Sequence, residues 1–143
     1  MLSIQDYTKK VLGMVKGYVQ GYSPDNKLLA RPIMYMVGSH TVTLSEPVSA
    51  QKHGIVLLFT EYSNGSPKSS QACTHFIPKK SVSDFPRMGY GFYLGYPYWT
   101  CGIKYLYITD TQIIGHNSNT VTGTYNGIKV TNSNFVLHSV YGV

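Results

Sequence analysis

The hydrophobic period of this chain changes once, and that change constrains the fold more than any other feature. Over the first 22 residues, apolar side chains fall at Ile4, Tyr7, Val11, Met14 and Tyr18, alternately three and four apart. From residue 33 onward the period is two. The first spacing holds a stripe on one side of a helix; the second sends successive side chains to opposite faces of a strand. The chain is therefore read as an N-terminal helical segment over residues 1–24 and a β-domain over 25–143.

The helical segment opens on Ser3, an N-cap residue, with Asp6 three positions on in a weaker form of the capping box. Its stripe is a heptad seam about two heptads long, too short to specify a coiled coil alone. Gly13, Gly17 and Gly21 stand four apart on one side. Each interior glycine costs about 1 kcal/mol relative to alanine, so the isolated helix would be marginal. The glycine side admits close approach of a helix from another subunit, by the small-residue logic of membrane helices. It equally admits a side chain of the chain's own domain. Ser23-Pro24-Asp25-Asn26 ends the helix as a turn.

In the β-domain the pattern predicts strands at 33–37, 41–44, 55–62, 72–77, 90–94, 103–109, 112–116, 128–131 and 135–141. Turn chemistry separates them at Ser63-Asn64-Gly65-Ser66-Pro67, at Asp110-Thr111 and at Asn117-Ser118-Asn119. Strands with short polar turns and no later helix pattern predict a mainly β, antiparallel sandwich, jelly roll or barrel. Ile55 to Phe59 is apolar on both faces and reads as a central strand covered on each side. Phe135 to Tyr141 is too apolar to hang free and should pair inside a sheet, placing the C-terminus in the core.

Charge is scarce: 12 basic and 6 acidic residues make 13% of 143, about half the usual share. With 13 tyrosines besides, disorder is excluded, since disordered chains are charged and poor in aromatics. The net charge of +6 is scattered, with no basic arm, so neither nucleic acid nor membrane insertion is expected. No apolar run approaches the roughly 20 residues that span a bilayer. Lys9, Lys10 and Lys16 interrupt any secretory core at the N-terminus, so synthesis in a cytoplasm is expected. Cys73 and Cys101 are expected to be buried free thiols.

No motif announces catalysis. The five histidines show no HxH, HExxH or CxxC-type ligand spacing, and neither a GxSxG elbow nor a phosphate loop occurs. No catalytic residue, metal ligand or cofactor is assigned. Cys73 and His75 share one face of a strand and read as core packing rather than a thiolate–imidazole pair. The most distinctive stretch is Gly89 to Gly102, with six aromatics, four glycines and no charge. Rings with an apolar face and a polar edge suit a subunit interface, a core strand or the C–H faces of a sugar. Tyr96, Tyr98 and Trp99 are the candidate saccharide contacts, with His40, Asn117 and Asn119 as further candidates for reading hydroxyls.

Four pieces occur in a particular order: Gly54 to Tyr62, Thr74 to Lys80, Ile103 to His116, and Asn132 to Val143. This resembles a C-terminal β-domain of tail-tip and baseplate proteins from siphophages and prophages of Gram-positive bacteria. There a G-I-V-L-V strand leads to an I-P-K loop, a K-Y-L-Y-I type strand turns into I-x-G-H, and the chain ends near F-V-L-R-x-V. The likeness covers roughly residues 35 to 143. It implies a receptor-binding-protein-like β-sandwich in a homo-oligomer, with a trimer favoured. It further implies a place in the virion among other tail proteins, no enzymatic activity, and a role in host adsorption. The helix stands where longer relatives carry tail-attachment modules, so Ile4, Tyr7, Val11, Gly13, Met14, Gly17 and Tyr18 become the expected oligomer interface. A carbohydrate-binding module for Gram-positive wall polymers is the alternative, carried by the tyrosine-rich loop and the basic balance.

Overall fold

A computed structural model describes residues 3–21, 26–96 and 100–143. It is mainly β, with two sheets and one long helix. Helix α1 spans Ile4–Gly21. Its start is capped as the sequence predicts: the Asp6 N–H donates to Ser3 Oγ at 3.1 Å, and Ser3 Oγ donates to the Asp6 carboxylate at 2.6 Å. Every side chain from Ser3 to Met14 is exposed. Over those residues the helix is not packed on its own domain; the surroundings of Gly17 and Gly21 lie outside the described residues.

The first sheet takes β1 (Lys27–Ala30), β3 (Gly54–Ser63), β4 (Ser66–Pro78) and β10 (Phe135–Gly142) in the order β1-β10-β3-β4, all antiparallel. The C-terminal strand β10 is thus internal, and the Val143 N–H donates to Gly54 O. The β3–β4 hairpin closes on Asn64 and Gly65, both at positive φ, the turn that matches strand twist. Pro67, expected in the turn, lies inside β4, which an edge strand tolerates.

The second sheet holds β2 (Thr41–Thr43), β7 (Gln112–Ile114), β6 (Thr100–Ile108), β9 (Ile128–Thr131) and β8 (Thr122–Tyr125), with β5 (Met88–Tyr96) paired to β6. β5 and β6 form a long hairpin from Met88↔Ile108 to Tyr96↔Thr100. Between the sheets' strands, helix α2 (Lys79–Asp84) puts Val82 into the core. One apolar cluster draws on both sheets, including Ile55, Leu57 and Phe59 of β3, Phe92 and Leu94 of β5, Leu106 and Ile108 of β6, and Leu137 and Val140 of β10.

Three expectations are corrected. The strand expected at 33–37 is not formed; only Met34 bridges Leu137 there, and the edge strand β1 lies before Pro32 instead. Ile33 and Met36 take positive φ (48° and 61°), costing roughly 1–2 kcal/mol each. That conformation is held because the loop bonds the segment that follows β7: Met36 O accepts from His116 N and Asn119 Nδ2. Second, β3 is central but not covered equally on its two faces: Ile55, Leu57 and Phe59 are fully buried, whereas Val56 and Leu58 are only half-buried. Third, Cys73 and Cys101 are free as expected but only half-buried.

Candidate functional site

Strand parity decides what the tyrosine-rich hairpin presents. On β5, Tyr90, Phe92 and Leu94 point into the molecule, where Phe92 lies 5.3 Å from Phe59 and 5.1 Å from His75, centroid to centroid. The opposite face of β5 carries Gly89, Gly91, Tyr93 and Gly95. Their partners on β6 are Tyr107, Tyr105, Ile103 and Cys101. The outer surface of the hairpin is therefore a glycine-floored trough beside a row of larger side chains. Tyr105 leans over Gly89, while Gly91 and Gly95 face open space. Tyr93 is 75% exposed.

Three rings close one end of this surface. Tyr105 and Tyr107 meet edge to face at 5.4 Å, and His116 stands 5.2 Å from Tyr105 and 6.1 Å from Tyr107. His116 Nδ1 accepts the Ser118 N–H at 3.2 Å as the cap of the 3-10 turn Asn117–Thr120. A neutral ring with Nδ1 as acceptor carries its proton on Nε2. The site offers Tyr93, Ile103, Tyr105, Tyr107, Ile114 and His116, with hydroxyl and imidazole donors and no formal charge. Such a platform suits flat apolar faces edged with hydroxyls or a protein surface.

The sequence-level candidates fare differently. Tyr98 and Trp99 lie outside the described residues. Tyr96 closes β5, and Gly17 and Tyr18 lie within α1. The exposed stripe brings together Ile4, Tyr7, Val11 and Met14, with Gly13 beside it and open space around it. Asn119 does not read hydroxyls. It is fully buried, its Oδ1 accepts Tyr105 N at 2.6 Å, and its Nδ2 donates to Met36 O and Tyr105 O. Asn117 Oδ1 accepts the Gly38 N–H, and the His40 backbone bonds Val37 and Gly115. These residues build the scaffold, and His116 is the histidine at the ring cluster.

The scaffold solves a pairing problem. One edge of β6 pairs with β9 at Thr100 and Cys101 and with β7 at Tyr107 and Ile108, leaving the middle open. Asparagine amides fill it: Asn132 Oδ1 accepts Ile103 N at 2.7 Å, and Asn119 serves both backbone groups of Tyr105. Each would otherwise be an unsatisfied buried group, costing about 1–3 kcal/mol. This fixes Tyr105 in the platform.

Lys104, two residues from Gly102 on the inward face, was missed by the sequence reading. It is fully buried, and Nζ donates to Tyr35 O at 3.1 Å and Asn119 O at 2.7 Å. Burial pushes its pKa down from 10.5 to about 7. Its signal was parity: Lys104 alternates with Tyr105 and Tyr107 and shares a face with Leu106 and Ile108.

His75 and Cys73 do share a face, and both serve packing. His75 Nε2 lies 3.2 Å from Tyr93 O, and Cys73 Sγ 3.7 Å from Gly95 O, so β4 side chains cover the free edge of β5. Acids of the β-region are engaged locally: Glu46 with Lys27 and Gln51, Glu61 with Ser70, Asp84 with Lys80, and Asp110 with Ser49. Among the described residues, no group of three or more His, Cys, Asp or Glu side chains could hold a metal. No helix there is long and apolar enough to cross a membrane. Comparison with family models, curated proteins and solved structures found no match.

Proposed function

We propose that this chain is a non-enzymatic structural and adhesion subunit of a bacteriophage tail tip or baseplate. It assembles as a homo-oligomer, with a trimer favoured, through α1. In this reading the two sheets form a β-sandwich of the phage receptor-binding type, and the subunit resides in the virion beside other tail proteins. The observation that carries it is the apolar stripe of α1. Ile4 is 85% exposed, Tyr7 63% and Met14 67%, on a helix whose described side chains, Ser3 to Met14, are all exposed. Burying each of those side chains is worth about 1.5–3 kcal/mol. A marginal helix that keeps such a stripe in water gains its stability from a partner. The ordered strand motifs supply the phage context.

Mass spectrometry of tail particles purified from a phage-producing Gram-positive culture that carries this gene tests the placement. Stoichiometric recovery of the chain with the tail proteins supports it, and its absence from particles refutes it. The Tyr93/Tyr105/Tyr107/His116 platform favours a second reading, a carbohydrate-binding module for Gram-positive wall polymers. Under that reading the chain sediments with purified cell walls without any particle.

A further inference from the structure

The chain has a second unpartnered apolar surface besides α1. On the outer face of the first sheet, register aligns Leu28 of β1, Tyr141 of β10, Val56 of β3 and Phe76 of β4 in one row across all four strands. Leu28 is 42% exposed and Phe76 52%. Beside the row, Val56, Leu58, Thr74, Tyr141 and Asn26 line a groove of about 240 Å³. No charged side chain lies in the row or the groove. This is the face of β3 whose apolar alternation predicted a cover, and among the described residues the chain itself supplies none.

We propose that this face receives α1 of a second copy, so that each subunit gives its helix to one neighbour and its sheet to another. This rests on the oligomeric reading above and names the partner surface. The dimensions agree. Ile4 to Met14 runs about 15 Å along the helix axis, and the row from β1 to β4 spans three strand spacings, about 14 Å. Both faces are uncharged at their centres, so joining them strips no ion of its water. Lys10 lies at the edge of the stripe and Lys9 on the opposite side of the helix. Stable pairwise contacts bury at least about 1,200 Å². A head-to-tail contact that closes into a ring engages each copy twice and doubles what each buries.

Complementation tests the proposal on the full chain by sedimentation equilibrium. The helix variant carries Tyr7→Asp and Val11→Asp, and the sheet variant carries Leu28→Asp and Phe76→Asp, all at exposed positions. The expected result is a wild-type mass above 15.9 kDa, each variant monomeric alone, and a 1:1 mixture that doubles in mass. The doubling arises because one intact helix then meets one intact sheet. A sheet variant that keeps the wild-type mass overturns the proposal and leaves the oligomeric reading standing, since helices then pair with helices. A mixture that stays monomeric also overturns it. A monomeric wild type overturns both.

Discussion

Lys104 makes stability depend on pH with a sign opposite to that of most lysines. Its ammonium is buried against two carbonyls and 5.5 Å from the Tyr35 ring centre, and no carboxylate among the described residues is hydrogen-bonded to it. Desolvation lowers its pKa from 10.5 to about 7 in the folded chain. Below pH 7 both states hold the proton and Lys104 adds no slope. Between pH 7 and 10.5 the folded state has released a proton that the unfolded state keeps. The unfolded state then binds more protons, so stability rises with pH. From pH 6 to 9 the gain integrates to about 2–3 kcal/mol. Lys104→Met keeps the apolar stem and removes the titration. It also strands Tyr35 O and Asn119 O, so the absolute stability difference mixes two effects, whereas its pH slope isolates one. Urea unfolding of both chains at several pH values, followed by intrinsic fluorescence, reads that slope. The wild type should gain on Lys104→Met by about 2–3 kcal/mol between pH 6 and 9. Parallel profiles would show that the ammonium is solvated and that the burial argument is wrong.

Other expectations follow from the same contacts. Asn119→Leu should cost about 2–5 kcal/mol by leaving Tyr105 N–H and Tyr105 O unpaired, seen as a lowered urea midpoint. Gly102→Ala would bring a methyl within 2.6 Å of the Phe135 ring and should cost about 1–3 kcal/mol as overpacking, measured by thermal unfolding. Tyr93→Ala should leave unfolding unchanged because the ring is exposed; if the platform binds wall saccharide, cell-wall sedimentation should fall roughly 2- to 10-fold, the worth of one stacking contact.

The switch of period was enough to separate the helix from the β-domain, and the cap Ser3/Asp6, the internal C-terminal strand and the Asn64-Gly65 hairpin were all legible. What escaped depends on contacts remote in sequence. Residues 33–37 alternate like a strand, yet Pro32 removes a ladder donor and the loop's carbonyls bond instead to His116, Asn119 and Lys104, some 70–80 residues away. β8 was missed although Asn126-Gly127, both at positive φ, mark its hairpin with β9. At the candidate site, composition singles out the stretch from Gly89 to Gly102. Parity then divides it, sending Phe92 and Leu94 inward and leaving Tyr93 outward. Gly115, a member of the I-x-G-H motif, has a local reason that no pattern displays: the Met36 and Val37 carbonyls approach where a Cβ would sit.

If α1 joins an assembly, as proposed, sedimentation equilibrium of the full chain beside Val11→Asp will show it. The expected wild-type mass is a multiple of 15.9 kDa, three being favoured, that collapses to the monomer in the variant. A wild-type chain that sediments as a monomer at every concentration would contradict it.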